Sequence, residues 1–146
     1  MITCHEIPME GALYAQSVEL RREVLRRPLG LDFSTAELAA EADERRCVAV
    51  VEDRVVGTLN LVRHGDAFKM RQVAVAPDAQ GQGIGKRLVQ FSEAVALRAG
   101  ATRMVLHARE TAVPFYLSLG YHIVDEPFEE VGIPHRRMVK ALEASE

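Results

Sequence analysis

The sequence predicts an α/β (α+β) chain built on a mixed sheet. Two observations predict it. Segments with an apolar period of two alternate with segments at helical spacing, and one strand runs through a glycine-rich loop into a helix. At 146 residues the chain is expected to be a single domain, residues 1–146. The 48% hydrophobic and 27% charged residues are typical of a globular protein and exclude general disorder.

Ile2 to Ile7 reads as a first strand. Glu10 to Arg27 is a predicted helix, with Leu13, Ser17, Leu20 and Val24 on one face and Pro28-Leu29-Gly30 ending it. Arg21, Arg22, Arg26 and Arg27 of this helix are read as surface. Ser34 with Glu37 three residues on forms a capping box, which opens a short helix to about Asp43. Cys47–Glu52 and Val55–Arg63 form a hairpin, and Gly57 within it marks a bulge. Phe68–Ala76 is the next strand, with Met70, Gln72 and Ala74 alternating with Arg71, Val73 and Val75. A helix follows the glycine loop to Ala99, with Ile84, Leu88, Phe91 and Val95 inward and Gly100 just past its end. Arg103–Ala108 is a strand that faces His107 away from Met104, Leu106 and Ala108. Thr111–Leu119 is a short helix closed by Gly120. Tyr121–Val124 and Arg136–Lys140 complete the sheet around an acidic loop, Asp125–Glu130.

Charge and composition exclude several classes. The net charge is −3 and neither half of the chain is basic, which argues against a general nucleic-acid binder. No run of about 18 apolar residues is present to span a membrane. The first residues lack a basic segment followed by an apolar one, so no secretory signal is expected. Cys4 and Cys47 match no zinc or redox spacing, and Cys47 opens an apolar run. A reduced, cytoplasmic domain without a metal is the expectation.

The chemistry concentrates in Gln80-Gly81-Gln82-Gly83-Ile84-Gly85-Lys86-Arg87. Glycines let a backbone approach a ligand closely, and the free N–H groups at a helix start favour an anion. Three glycines at alternate positions, followed by two cations in the first turn, point to a bound diphosphate. A P-loop fails on spacing, because Gln80 stands at its first glycine and Arg87 replaces its Ser/Thr. The dinucleotide fingerprint fails because Lys86 stands at its third glycine.

Gln80-x-x-Gly83-x-Gly85 resembles the [QR]-x-x-G-x-[GA] loop of the GNAT N-acyltransferase superfamily. Pro114-Phe115-Tyr116-Leu117-Ser118-Leu119-Gly120-Tyr121 resembles the late F/L-Y-x-x-x-G-F/Y segment of the same family. The order of elements agrees from Ile2 to Lys140. His107-Ala108, Pro114-Phe115-Tyr116 and Gly132-Ile133-Pro134-His135 are similar to the ElaA-like branch. The resemblance implies a mostly antiparallel, splayed central sheet with helices on both faces. It also implies acetyl-CoA, or another acyl-CoA, as donor and an amine of a small molecule or protein as acceptor.

On that resemblance the backbone of Gln80, Gly81, Gln82, Gly83, Ile84, Gly85 and Lys86 holds the pyrophosphate, with Lys86 or Arg87 reaching a phosphate. Val73, Ala74 and Val75 offer a strand edge to pantetheine, and an N–H near Val75 stabilises the developing oxyanion. Tyr116 matches the family's acid tyrosine. Where the family often has an Asn touching pantetheine this chain has Arg109, which is kept as a candidate contact. His107 is the candidate base, with His135 and Glu110 as alternatives, and a water chain serves equally in many members. The acceptor is expected between the early helices and the Asp125–Glu130 loop. A homodimer is allowed, although no apolar surface stripe marks an interface. A non-catalytic acyl-CoA-binding module is the competing reading.

Overall fold

The computed structural model describes residues 1–143. Among them the predicted strands and helices appear in the predicted order. The strands are β1 (Thr3–Ile7), β2 (Arg45–Val51), β3 (Arg54–His64), β4 (Ala67–Val75), β5 (Arg103–Arg109), β6 (His122–Glu130) and β7 (Ile133–Ala141). The α-helices are α1 (Ala12–Arg21), α2 (Thr35–Ala39), α3 (Ile84–Arg98) and α4 (Val113–Ser118). The strands are hydrogen-bonded in the order β1-β2-β3-β4-β5-β7-β6. β1–β2, β2–β3, β5–β7 and β6–β7 are antiparallel and β4–β5 is parallel, so the sheet is mixed and mostly antiparallel. The chain forms two compact units: Met1–Val62 with Gln72–Ser92, and Arg63–Arg71 with the chain from Glu93 onward.

In the first unit the start of α3 packs on β3. Ile84 and Leu88 are buried, and a Cβ on Gly57 would lie 3.1 Å from Ile84 Cγ2 and 3.2 Å from Leu88 Cδ2. Any side chain at this position would press on both methyl groups, so the glycine eases the close approach of the helix. The predicted bulge lies beside it: Ala49 pairs with Gly57 and Val50 with Val55, which leaves Val56 as the extra residue. Cys47 is fully buried. The Ser34 capping box is formed: Ser34 Oγ accepts the Glu37 N–H at 3.0 Å and Glu37 Oε1 accepts the Ser34 N–H at 3.2 Å.

The first helix departs from expectation at both its end and its surface. After Arg21 it widens into a π turn, Arg22–Arg26, and tightens into a 3₁₀ turn, Arg27–Leu29. The regular α-helix ends at Arg21, seven residues before Pro28, and Pro28 falls in the first turn of the 3₁₀ segment, where its missing N–H is not needed. Arg21, read as surface, is 1% exposed. It donates from Nη1 and Nη2 to the two Glu41 oxygens at 2.9 and 2.6 Å, with its guanidinium 4.6 Å from the Phe33 ring centre. Arg46 Nη2 donates to the Glu41 carbonyl at 2.6 Å. α2 ends at Ala39 rather than near Asp43, and turns carry the chain on through Glu41 to Asp43.

In the second unit Met104, Leu106, Ala108 and Met138 supply core. Gly100 and Gly120 follow the two helix ends as predicted. Ala101 and Tyr121 N–H groups reach back to the Ala96 and Tyr116 carbonyls at 3.0 and 3.1 Å. The acidic segment is not a loop. β6 runs through Asp125 to Glu130, with a positive φ at Asp125 and a register shift between Val124 and Phe128. β6 is the edge strand, and the bulge absorbs Pro127, whose missing N–H would break a central ladder. The connecting turn falls at Val131-Gly132 instead.

The predicted alternation in β4 also breaks. Gln72 has φ +57°, and the β4–β5 register runs from Ala67–Arg103 to Met70–Leu106 and stops there.

Candidate active site

The glycine loop follows a pinned 3₁₀ turn. Pro77–Ala79 forms that turn, and Arg54 at the start of β3 clamps it from the side. Arg54 Nη1 and Nη2 donate to Asp78 Oδ2 and Oδ1 at 3.0 and 2.8 Å, a fork that fixes geometry as well as charge. The Arg54 guanidinium holds the Asp78 carboxyl below its ordinary range. Gln80 Nε2 donates to the Val75 carbonyl at 3.3 Å, which ties the loop to the strand before it. The Ala76 N–H bonds the Val56 carbonyl at 2.8 Å.

Beyond these ties the backbone is bare. Gly81 and Gly83 have φ +81° and +79°, a conformation L side chains rarely adopt, and nothing lies within 4 Å of either position where a Cβ would stand. Gln80, Gly81, Gln82, Gly83, Lys86 and Arg87 are exposed, and Gly85 is half-buried. Ile84 alone of the loop is buried, anchoring the start of α3. A shallow cleft beside the loop is lined by Val51, Arg54, Val56, Asp78, Gln82 and Ile84. Val73, Ala74 and Val75 come after the end of the β4–β5 register, with Val73 and Val75 half-buried and Ala74 in the core. A bare loop of this shape at the N-terminus of a four-turn helix suits an anion, so these residues fit the diphosphate of a CoA ester.

Tyr116, His107 and Arg109 belong to the second unit. Tyr116 on α4 is 6% exposed and meets Phe115 and Tyr121 edge-on, at 5.0 and 5.7 Å between ring centres. Burial pushes its phenol up to about 12, so it stays protonated over any ordinary pH range. Tyr121 Oη donates to Glu93 Oε2 at 2.7 Å, and Lys140 Nζ donates to Glu93 Oε1 at 2.9 Å. This network fixes the ring against which Tyr116 packs.

His107 stands in a different cluster. Its Nδ1 lies 3.0 Å from Glu130 Oε1, and its ring meets Phe128 edge-on at 4.9 Å. His135, 5% exposed, stacks on Phe128 at 5.9 Å, and its Nε2 lies 3.8 Å from Glu130 Oε2. The β7 register is unbroken and His135 and Lys140 are an odd number apart, so they face opposite sides. The His107–His135 cluster and the Tyr116–Tyr121 cluster therefore occupy opposite faces of these strands. Arg109 pairs with His135 in register and is half-buried. Glu110 opens a 3₁₀ turn and is exposed.

His107 and His135 are named from the sequence, but their grouping around Phe128 and Glu130 had no sequence signal, because an edge-strand bulge sets which β6 residues face β7. The four acidic residues of β6 are also not all free to attract a cation. Asp125 Oδ2 accepts from Arg137 at 3.2 Å and Glu130 is held by His107. Arg54 likewise carries no motif; only the folded hairpin brings it to Asp78. Among the described residues no group of three or more His, Cys, Asp or Glu side chains is placed to hold a metal ion.

The model of the acetyltransferase (GNAT) domain matches residues 29–142 of this sequence. The chain belongs to the GNAT family. Within the curated proteins it is 33% identical over 91 residues to the uncharacterized protein YyaT of Bacillus subtilis (strain 168), covering 62% of each chain. It therefore spans less than two thirds of that relative's length. Among solved GNAT-type structures it superposes on Escherichia coli ElaA with TM-score 0.81 at 20% identity, over 96% of this chain and 99% of that one. An aminoglycoside 6'-N-acetyltransferase complexed with coenzyme A gives TM-score 0.82 at 19% identity, over 99% of both chains. These likenesses show the GNAT fold. Escherichia coli ElaA, whose branch the sequence resembles, is among the structures that share this fold.

Proposed function

We propose that this GNAT chain is a single cytoplasmic acyltransferase domain that transfers an acetyl group from acetyl-CoA to a primary amine of a small molecule or protein. The observation that carries the reading is the exposed Gln80–Arg87 loop with two left-handed glycines at the start of α3. Family membership and the coenzyme A bound by the aminoglycoside 6'-N-acetyltransferase support the same ligand.

Bound acetyl-CoA supplies an activated thioester. The loop N–H groups hold its diphosphate, with Lys86 and Arg87 as charge-assisted donors. The Val73–Val75 main chain offers strand-type hydrogen bonds, and an N–H near Val75 donates to the thioester oxygen as charge develops there. Arg109 is a further candidate contact for pantetheine. His107 Nε2 takes a proton from the attacking amine as the N–C bond forms. The Tyr116 hydroxyl gives a proton to sulfur as the C–S bond breaks. His107 is the first β5 residue past the β4–β5 register.

The test is thiol release from acetyl-CoA across a panel of polyamines, amino sugars and peptide N-termini. Amine-dependent release confirms the transferase. Tight acetyl-CoA binding with no release for any amine overturns it in favour of a binding module.

A further inference from the structure

We propose that Glu130 is a positioning residue for His107, holding its ring with Nδ1 protonated and Nε2 free to accept a proton; this rests on the acetyltransferase reading above. A carboxylate only accepts hydrogen bonds, so at 3.0 Å from Glu130 Oε1 the Nδ1 of His107 is the donor. The lone pair of the neutral ring then lies on Nε2, which is the arrangement a general base needs. The side chain is 25% exposed, so the ring is open to a reactant while Phe128 braces it edge-on.

Glu130 is held by His107 and faces the edge of a second imidazole. His135 Nδ1 donates to the Ile133 carbonyl at 2.7 Å, which turns its Nε2 toward Glu130 Oε2. Burial disfavours the charged Glu130 carboxylate. The hydrogen bond from His107, with the charge of Lys69 and of His107 and His135 whenever they are protonated, outweighs that and holds its carboxyl below the ordinary carboxylate range, which itself lies well under neutrality. Glu130 therefore stays ionised at any pH where a neutral histidine can act. The charged neighbours on the packed strands are Lys69 of β4, Arg109 of β5, and Arg137 of β7, which pairs opposite His107 and is bonded to Asp125 of β6. Three of these are cations, which leaves Glu130 as the carboxylate in direct contact with the ring.

The test uses the full chain, with Glu130→Ala and Glu130→Gln beside the wild type. Nitrogen-15 chemical shifts of His107 read the tautomer, and kcat and KM are followed against pH. In the wild type His107 carries its proton on Nδ1. Glu130→Ala shifts the population toward Nε2–H, moves the acid limb of kcat to lower pH and lowers kcat about tenfold, a part of what a general base supplies. KM for acetyl-CoA and the melting temperature stay as they were. Glu130→Gln keeps an acceptor, so it restores the tautomer without restoring the acid limb. An unchanged tautomer and acid limb in Glu130→Ala overturns the proposal, as does a fall in kcat with KM and melting temperature while the acid limb stays put. A wild type that acetylates no amine overturns the transferase reading instead, and the nitrogen-15 signature still decides the role of Glu130.

Discussion

Tyr116 and Arg21 show how differently two buried polar side chains are written into one sequence. Tyr116 lies in a local motif with Phe115 and Gly120, and its burial follows from the short helix that motif builds. With its phenol pushed up to about 12, Tyr116→Phe removes a proton donor that never ionises in ordinary assays. The expected result is a fall in kcat on the order of 100-fold with acetyl-CoA binding unchanged. The wild-type pH–rate profile should carry no alkaline limb from this group below about pH 11. Arg21 was read as surface because the four arginines spread over adjacent faces of the helix. Its burial depends on Glu41, twenty residues away, and on the Phe33 ring. It does fall one residue from Leu20 on the Leu13–Ser17–Val24 stripe, the only local hint. Breaking a buried pair strands the other charge, so Glu41→Gln should cost about 3–5 kcal/mol in chemical denaturation.

The elements that were legible are those whose cause is local. The capping box at Ser34, the glycines after α3 and α4, and the strand–loop–helix around Gly83 are each set by residues within about five positions. What escaped depends on partners far along the chain. Gln72 breaks the β4 alternation at a left-handed backbone position, and β6 continues through its acidic segment because an edge strand tolerates a bulge at Pro127. The pairing of Glu130 with His107 follows from that bulge. Gly57 was read as a bulge marker, but its larger role is to let Ile84 and Leu88 approach β3. Gly57→Ala should destabilise the protein by about 1–3 kcal/mol, seen as a lower denaturation midpoint with an unchanged slope. Gly83→Val fills open space yet forces a β-branched residue to φ +79°, so it should weaken acetyl-CoA binding more than it lowers the melting temperature.

At the scale of the molecule, a chain of net charge −3 is proposed to bind a polyanion. Bulk charge opposes this weakly, while local donors favour it: the bare loop backbone, the helix start, and Lys86 and Arg87 with no acidic residue in the first turn of α3. Replacing Lys86 by Glu should weaken acetyl-CoA about tenfold or more and make the remaining affinity less sensitive to salt. The sequence already carried the family, because two motifs and the order of elements sit in nearly the whole chain. It carried less of the candidate His107 cluster, because that is assembled by strand register. The most direct test of the account is thermal denaturation of the wild type with acetyl-CoA, free CoA, NAD and ATP side by side. Acetyl-CoA at 100 times its dissociation constant should stabilise the protein by about 2.7 kcal/mol, with NAD without effect; no shift with either CoA species would contradict it.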